Sequence, residues 1–484
     1  MRALVRSAGG VDYEIVVGLE VHCELATATK LFCSCPNAFG DEPNTNVCPV
    51  CLGLPGSLPV LNRRAAELAM RIGLALGCEV RPSVFHRKNY FYPDMPKDYQ
   101  ISQYDAPVNV NGRLELPDGS VVRIERAHME EDTGKTTHVG GTGRIHGASH
   151  SLVDYNRAGV PLVEIVSAPD IGSAEQARAY VTELRGVLVA TGASDGRMEE
   201  GSLRVDANVS VRPAGSARLG TRCEVKNLNS LRSLVRAIEH EAERQSAILA
   251  EGGTVAQQTR HWDEDAGVTH PLRSKEEADD YRYFQEPDLV PLVPDEPLLA
   301  AARSGVGLLP ADRRRRLAEL FGGGAGAVSD QVQTVIELDL DQLVVDAVEA
   351  GADARLALAR AANEAAARPE RARHLDAGSF ASLLELESAG TLSATQSKAV
   401  LAALLDEGGD PREIARRLGY EALDASELDR LVDEVIEANP AEWGRYLAGD
   451  EKVSGFLLGQ VMRNSGGRAN GKLVAEAFAR RRTG

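Results

Sequence analysis

The sequence predicts an α+β fold, with a sheet-forming domain at residues 1–294, a helical domain at 295–407 and a helical tail domain at 408–484. Two segments, 13–25 and 198–212, alternate apolar and polar residues with the period of two that a half-buried strand requires. Capped amphipathic helices lie between and beside them. From the second domain onward Ala, Leu, Glu and Arg dominate and strand formers are few, which predicts helices.

The composition excludes several classes of protein. The chain has 484 residues, of which 43% are hydrophobic and 26% charged, as in a globular protein of several domains. Its net charge of −17 argues against a general polyanion binder, so any RNA contact must come from local basic patches. No apolar run is long enough to span a membrane, and no signal-peptide core is visible near the start. We therefore expect a cytoplasmic location.

The first strand, residues 13–25, carries a row of polar side chains. Period-two spacing places Glu20, His22 and Glu24 on one face, opposite an apolar face. An imidazole flanked by carboxylates suits a cation site, but a strand with one solvated face explains the same pattern.

Four of the seven cysteines fall within residues 33–51. They form a C-x-C pair and a C-x-x-C pair, separated by a segment that contains Pro, Gly and Asn. Paired thiolates on two tight turns suit the tetrahedral geometry of zinc, and four such ligands leave no position for water. We expect a structural zinc knuckle, with reduced free cysteines or a redox pair as the alternatives. Its ligands would be Cys33, Cys35, Cys48 and Cys51.

A capped helix, Asn62–Leu76, precedes a segment rich in aromatic, amide and lysine residues at 86–105. Pro93 and Pro96 predict that this segment is a loop. A polar-aromatic loop of this length could stack on a nucleotide or an RNA end. An aromatic surface loop without such a role is the alternative.

The stretch Glu125–Thr136, ERAHMEEDTGKT, ends like a phosphate-binding P-loop but does not fit one. The motif needs a glycine where the chain has Met129, and the carboxylates of Glu130, Glu131 and Asp132 would repel phosphate. The same carboxylates are ligands that a hard divalent cation prefers. The stretch therefore predicts a metal site, at which phosphate is bound by the metal ion and not by backbone N–H groups.

Further candidates follow along the chain. Residues 138–150 are predicted to be a flexible Gly/His-rich connection, followed by a strand at 151–167 in which Glu164 stands alone among apolar residues. A buried carboxylate is costly unless it is paired or binds a metal, so Glu164 is a candidate metal ligand. Another capped helix spans Ser173–Ala190. One face of segment 198–212 then holds Arg204, Asp206, Asn208 and Ser210, and Lys226 and Asn227 follow.

Two basic segments occur in the helical half. The run Arg313–Arg316 is most simply a solvated helix face, with an RNA contact as the minority interpretation. Residues 451–484 contain seven Lys or Arg against two Glu, a local charge of +5 on an acidic protein. This tail is where we expect a polyanion to bind.

Several motifs together resemble one family. They are YEIVVGLEVHCEL, the CSC and CPVC pairs, RKNYFYPDMPKDYQISQYD, HMEEDTGK, SLVDYNRAGVPLVEIVS, MEEGSLRVDANVSVR, EVKNLNS and DDYRYFQEPDL. In this order they are similar to the B subunit of the tRNA-dependent aspartyl/glutamyl amidotransferases. The tail motif GFLLGQVMRNSGGRANGKLV resembles the tail domain that is shared with a small family of standalone proteins, whereas residues 297–407 match only in character.

The resemblance implies both a fold and an activity. The fold would be a glutamine-synthetase-like cradle, an antiparallel sheet with flanking helices. The activity would be that of a carbon–nitrogen ligase with glutamine as amido donor. The side-chain carboxylate of Glu-tRNA(Gln), Asp-tRNA(Asn) or both would be phosphorylated with ATP and then amidated by ammonia. A glutaminase A subunit and a small C subunit would complete a heterotrimer. The sequence leaves open which tRNA is the substrate.

The resemblance also implies site residues. Magnesium would be bound by Glu20, His22, Glu131 and Glu164, with Glu125 and Glu130 as neighbours of the ligands and not as first choices. ATP or the acceptor end would be contacted by Lys88, Arg204, Asp206 and Lys226. Two other classes remain as alternatives: a metal-dependent nucleic-acid hydrolase and a non-catalytic tRNA-binding scaffold.

Overall fold

The structure, a computed structural model, describes residues 2–6, 10–140, 147–272, 281–321, 330–420, 425–465, 469 and 471–483. It divides into two compact units, Met1–Ala311 and Asp312–Gly484. The first unit is built on a large sheet and the second is helical, so the predicted α+β class is confirmed. The likeness to glutamine synthetase and the functional division into three domains stay predictions. The compact sheet unit extends past the predicted boundary at 294 and includes the helix Glu296–Ser304.

Strands occupy much of the first unit. They are β1 (Leu4–Arg6), β2 (Asp12–Glu24), β3 (Glu79–Val80), β4 (His86–Asn89), β5 (Tyr99–Ser102), β6 (Asn109–Glu115), β7 (Val121–Glu131), β8 (Lys135–Val139), β9 (His150–Asp154), β10 (Pro161–Ser167), β11 (Leu203–Pro213), β12 (Cys223–Leu228), β13 (Gln258–Asp263), β14 (Val268–Pro271) and β15 (Phe284–Gln285).

Thirteen of these strands form one sheet in the described part of the chain. Its main order is β14-β13-β12-β11-β2-β10-β7-β5-β4-β15, while β1, β3 and β6 pair at the side and β8–β9 form a separate hairpin. Neighbours in the sheet are antiparallel except β12 and β13. The longest strand, β2, lies at its centre between β11 and β10, so its polar row lies on the middle of one sheet face.

The opposite face of the sheet is covered by helices. These are α1 (Arg63–Ala75), α2 (Ala174–Ala190) and α3 (Leu231–Ala250), whose apolar residues share one core with the inward residues of β2, β10 and β11. A further helix, α4 (Glu296–Ser304), packs on α1 through a small second core. The predicted helices are confirmed with their caps. Asn62 accepts from two backbone N–H groups, and Ser173 accepts from Gln176 N.

Three local predictions were wrong. The segment 86–105 is not all loop, because residues at its two ends pair as β4 and β5. The segment 151–167 is not one strand, because a turn near Ala158 separates β9 from β10. The connection at 138–150 contributes both of its ends to the β8–β9 hairpin, while residues 141–146 lie outside the described residues. Strand preference depends on pairing and packing, so aromatic and polar residues that do not look like strand formers can still form paired strands.

The second unit contains only helices among its described residues. They are α5 (Pro310–Leu320, which begins at the unit boundary), α6 (Asp330–Glu337), α7 (Asp341–Glu349), α8 (Ala354–Asn363), α9 (Pro369–Ala372), α10 (Ala377–Ser388), α11 (Ala394–Glu407), α12 (Pro411–Arg417), α13 (Ala425–Ala438), α14 (Pro440–Leu447), α15 (Ser454–Asn464) and α16 (Gly471–Thr483).

These helices form two hydrophobic cores. The first extends from Leu317 to Ala415 and therefore includes α12, which the predicted boundary at 407 assigned to the tail. The second extends from Leu428 to Phe478. The run Arg313–Arg316 is not simply a solvated face, because Arg314 is buried and Arg313 forms ion pairs with aspartates of the same unit. Within the described ranges, no helix is both long and apolar enough to cross a membrane.

Candidate functional site

The open face of the sheet carries two rows of residues, polar except for Val166, that follow from strand register. Residues directly opposite each other in paired strands point to the same face. One row therefore runs across β11, β2, β10 and β7, and a second, parallel row lies two residues away. The first row is Arg204, His22, Glu164 and His128, and the second is Asp206, Glu20, Val166 and Arg126.

The alternation of β7 changes phase at Glu125. The buried core positions are Val122 and Ile124 before it but Ala127 and Met129 after it. The register with β10 shifts at the same point, since Ser167 opposes Ile124 while Val166 opposes Arg126. Such an extra residue is a β-bulge, which re-aims the side chains that follow it. Arg126, His128 and Glu130 consequently face the open side.

This phase change corrects one predicted site residue. Glu131, which the resemblance placed beside His22 and Glu164, points to the opposite face of the sheet. There its carboxylate is held by Lys97 and accepts a hydrogen bond from Ile101 N at 2.9 Å. Its neighbour Glu130 occupies the open face instead. Strict period-two alternation would place Glu131 on the open face, because it does not include the bulge.

Three side chains from three strands form the centre of the open face. His22 of β2, Glu130 of β7 and Glu164 of β10 each offer a ligand atom, and these atoms lie within 4.8 Å of one another. His22 Nε2 lies 3.8 Å from Glu130 Oε1 and 3.7 Å from Glu164 Oε2. We call these three residues the cation cluster. It brings together His22 and Glu164, both of which are predicted ligands.

The charges of the cation cluster are tuned by burial and by each other. Burial and the charge of Glu164 raise the pKa of Glu130 to about 7. Burial also acts to raise the pKa of Glu164, but the neighbouring His128, His22 and Arg126 outweigh it and lower that pKa to about 2. Two carboxylates at this spacing do not both ionise easily unless a positive charge lies between them.

The donor set fits a divalent cation. His128 is fully buried behind the cluster, and within the described residues neither of its ring nitrogens has a hydrogen-bond partner. Its Nε2 lies 3.9 Å from Glu130 and 3.7 Å from Glu164, too far for hydrogen bonds. Burial lowers the pKa of His128 to about 4, so it is neutral. Carboxylates spaced around an unbonded gap, with a neutral imidazole behind them, are suited to a hard cation.

The other predicted site residues lie on the same face with different partners. Glu20 accepts a hydrogen bond from Asn208 at 2.8 Å and does not belong to the cation cluster. Arg204 donates to Asp132 at 2.6 Å. Asp206 accepts from Lys226 at 3.0 Å.

Lys226 and Lys88, two predicted ligand-binding cations, differ in whether they already form ion pairs with carboxylates. Lys226 also lies 3.3 Å from Glu224. Burial acts to lower the pKa of Lys226, but the carboxylates of Asp206 and Glu224 outweigh it and raise that pKa. Lys88 faces the same cavity and rests 4.7 Å above the Tyr281 ring. Among the described residues it has no ion pair within 4 Å. Lys88 is thus better suited to an anionic ligand than Lys226.

An aromatic wall borders the cation cluster. The rings of Tyr104 and Tyr283 stack with centroids 5.4 Å apart, and the Arg126 guanidinium lies 4.6 Å from the Tyr104 centroid. Arg126 also lies 3.8 Å from Glu164. Arg126 and His128 were not predicted from the sequence as site residues. Both precede Glu130 by even steps, so the bulge was the signal that would have found them.

The cluster, the wall and the charged rows line one cavity of about 1030 Å³. This is at the upper end of small-molecule sites and leaves room for a nucleotide together with a second substrate. Its charged lining is mixed, with anionic groups at the sheet centre and cations at several points around them. The lining cations are Lys88, Arg126, Arg204, Arg222 and Lys226.

The four predicted knuckle cysteines do converge. Their sulfur atoms lie within 4.8 Å of one another, and Cys48 N donates to Cys51 Sγ at 3.1 Å. The hydrogen bond with Cys33, together with the charge of Lys30, lowers the pKa of Cys51 to about 5. Lys30 is fully buried and its ammonium donates to two backbone carbonyls. The knuckle thus favours the thiolate at Cys51, which is the form that binds zinc, whereas the hydrogen bond with Cys51 raises the pKa of Cys33 and burial raises that of Cys35.

Comparison with known proteins gives a consistent result. A family described as "GatB/GatE catalytic domain" matches residues 15–300, and one described as "GatB domain" matches residues 342–481. The B subunit of the aspartyl/glutamyl-tRNA(Asn/Gln) amidotransferase from Moorella thermoacetica is 49% identical over 487 residues, covering 97% of this chain and all of the relative. The protein of the same name from Mycobacterium avium is 49% identical over 483 residues, covering 96% of this chain and 95% of the relative.

Proposed function

This chain belongs to the family of aspartyl/glutamyl-tRNA(Asn/Gln) amidotransferase B subunits, and we propose that its cavity is where misacylated tRNA is amidated. The substrate is Glu-tRNA(Gln), Asp-tRNA(Asn) or both, and ATP activates it. The observation that carries the proposal is the cation cluster, in which His22, Glu130 and Glu164 converge from three strands of the matched domain.

The chemistry requires activation before amidation. A carboxylate cannot expel oxide when ammonia attacks, so the side-chain carboxylate first attacks the γ-phosphorus of ATP and ADP leaves. Ammonia then attacks the acyl carbon of the resulting acyl phosphate, and phosphate leaves with the bonding electrons. Phosphoryl transfer depends mainly on positioning and on neutralising charge, which a cavity with separate anionic and cationic groups provides.

The proposed cation is Mg²⁺, held by Glu130, Glu164 and His22, with Glu20 close by on β2. When bound it would neutralise phosphate charge, as the carboxylates alone cannot. Lys88 and Arg126 are the cations best placed for phosphate oxygens or the substrate carboxylate. His128 keeps its unprotonated ring against the two carboxylates and leaves them free to bind the cation.

Partners complete the proposal. Ammonia comes from glutamine hydrolysed by a glutaminase A subunit, and a small C subunit joins the two in a heterotrimer. The cysteine knuckle binds structural zinc and takes no part in the chemistry, since four sulfur ligands leave no open position.

The deciding experiment is amidation by the reconstituted complex. Each misacylated tRNA is supplied with ATP, Mg²⁺ and glutamine, and Gln-tRNA and Asn-tRNA are measured. Glu164→Gln should abolish product, whereas Glu115→Gln, an exposed strand carboxylate remote from the cluster, should leave the rate unchanged. Full activity of Glu164→Gln would refute the proposed site. Cleavage of tRNA without ATP or glutamine would instead favour a nucleic-acid hydrolase, and no ATP turnover in the complex would favour a scaffold.

The helical tail is the proposed tRNA contact of this subunit. Its local +5 charge is partly used internally, because Arg481 pairs with Asp429 and Asp433 and Arg482 rests on the Tyr446 ring. Arg463 is exposed at the end of α15, so it is the better candidate for a phosphate contact.

Two changes test the tail. Truncation after Tyr420 spares the core that includes α12 and should weaken tRNA affinity by about tenfold or more. Arg463→Ala should weaken it a few-fold and reduce the slope of log affinity against log salt by about one. Glu434→Ala, an acidic α13 residue, serves as the control. Unchanged affinity after truncation would refute the role of the tail.

A further inference from the structure

A buried ion pair lies behind the cation cluster, on the helix-covered side of the sheet. Lys97 and Glu131 form it with side chains only 7% and 2% exposed. Burying an ion pair costs desolvation on both partners, and an apolar pair of similar volume is often equally stable. Because Glu131 directly follows Glu130 in the sequence, the ion pair can also affect how Glu130 is oriented.

Glu131 is held through both its side chain and its backbone. Its Oε1 accepts hydrogen bonds from the Lys97 ammonium and from the Ile101 N–H, the latter at 2.9 Å. Its backbone carbonyl accepts from Gln100 Nε2 at 2.7 Å. Consecutive strand residues point to opposite faces, so holding Glu131 on one face fixes the direction of Glu130 on the other.

Lys97 connects Glu131 to the cysteine knuckle. Its aliphatic stem crosses Gly53, where a Cβ atom would lie 2.5 Å from Lys97 Cγ and where φ is +66°. Only glycine accepts both conditions. The ammonium lies 5.2 Å from the Tyr99 ring centroid and 6.0 Å from that of Phe32. The stem of Lys97 thus lies against the turn at Gly53, and its ammonium lies near two aromatic rings.

A small cavity of about 50 Å³ marks the junction. Cysteines of the knuckle, the Lys97–Glu131 pair and Gly159 line it together. Gly159 has φ +86°, and a Cβ there would lie 3.6 Å from Cys51 Cβ and 3.8 Å from Glu131 Oε2. The knuckle therefore packs against Glu131 both through Lys97 and through Gly159.

We infer that Lys97 and Glu131 are positioning residues that transmit the order of the cysteine knuckle to Glu130. The affinity of the cavity for a divalent cation then depends on whether the knuckle holds its metal. The inference rests on the proposed function, in which Glu130 is a cation ligand. Groups that orient a ligand from behind typically change metal affinity about 10- to 100-fold when removed.

The test is Mn²⁺ binding to the full-length chain, followed by electron paramagnetic resonance, with zinc content measured in parallel. Lys97→Met should weaken Mn²⁺ binding about tenfold. The matched control is Arg71→Met, which breaks the largely buried Arg71–Glu67 pair on α1 and should leave Mn²⁺ affinity unchanged. Equal loss of affinity in both variants would overturn the inference, since it would be a consequence of lost stability.

A double variant separates positioning from charge burial. Lys97→Met with Glu131→Gln removes both charges and keeps an acceptor for Ile101 N–H, so it should recover stability but not Mn²⁺ affinity. Full recovery of affinity would overturn the inference, because it would show that an unpaired carboxylate alone caused the loss.

The link to the knuckle has its own measurement. Cys48→Ser should weaken Mn²⁺ binding by about the same factor as Lys97→Met, and combining them should add little. Additive losses would overturn the link, and if Cys48→Ser does not fold, the Lys97 and Glu131 variants decide alone. The reference is Glu164→Gln. If it leaves Mn²⁺ affinity unchanged the proposed cation site is wrong, whereas if it weakens binding and Lys97→Met does not, only this inference fails.

Discussion

The cysteine knuckle and the cation cluster are both groups of candidate ligand atoms within 4.8 Å, yet they are built in opposite ways. The knuckle takes its four ligands from residues 33–51, on two adjacent turns. The cluster takes His22, Glu130 and Glu164 from three strands of one sheet. A metal can organise the knuckle itself, whereas the sheet organises the cluster before any cation binds. We therefore expect the knuckle to contribute to folding stability and the cation cluster to contribute to catalysis.

The largest expected effect comes from the cluster. His22→Ala should reduce tRNA-dependent ATP hydrolysis by at least about 10³-fold, or ~4 kcal/mol of transition-state stabilisation, because it removes a cation ligand. The unfolding midpoint in urea should change little, since the sheet already holds Glu130 and Glu164 in place. A large loss of stability with an unchanged rate would reverse the comparison.

The knuckle should show the converse. Cys51→Ser removes a sulfur ligand that is buried in the first unit, and zinc content measured by mass spectrometry should fall with it. Loss of a structural metal belongs to the class of changes that cost more than about 4 kcal/mol in the free energy of unfolding. Cys78→Ser, a buried cysteine outside the knuckle, is the control for removing a thiol. A zinc-free wild type of full stability would contradict this assignment.

How far each region follows from the sequence also differs. The convergence of the knuckle cysteines was predictable because they are close in sequence and because the spacing of the two pairs is typical of a four-cysteine metal site. The caps of α1 and α2 were predictable for the same reason. The row Arg204–Asp206 of β11 was placed on the correct face by alternation alone.

What the sequence did not reveal depends on pairing between distant segments. The choice of Glu130 over Glu131 required the bulge at Glu125, which strict alternation does not include and which the register with β10 establishes. The ion pairs that occupy Arg204 and Lys226 join residues on different strands or loops. The strands β4 and β5 pair with each other and also with strands distant in sequence, β15 on one side and β7 on the other.

A smaller effect is expected at the aromatic wall. Tyr104→Leu removes the ring that lies between the Arg126 guanidinium and the Tyr283 stack. A base that stacks on an aromatic ring contributes about 1–3 kcal/mol, so loss of the ring should raise KM for ATP or for tRNA roughly tenfold with little change in kcat. Steady-state kinetics with each substrate varied shows which one the wall contacts. Tyr420→Leu, which lies against the first helical core of the second unit and outside the truncated tail, controls for the loss of a partly buried tyrosine.

The central claim is that the open face of the sheet, carrying Glu130, is the catalytic face. The most direct measurement compares Glu130→Gln with Glu131→Gln, adjacent residues on opposite faces, in tRNA-dependent ATP hydrolysis by the reconstituted complex. Glu130→Gln should lose at least about 10³-fold, and Glu131→Gln only about tenfold, through its positioning of Glu130. A larger loss for Glu131→Gln than for Glu130→Gln would contradict the account.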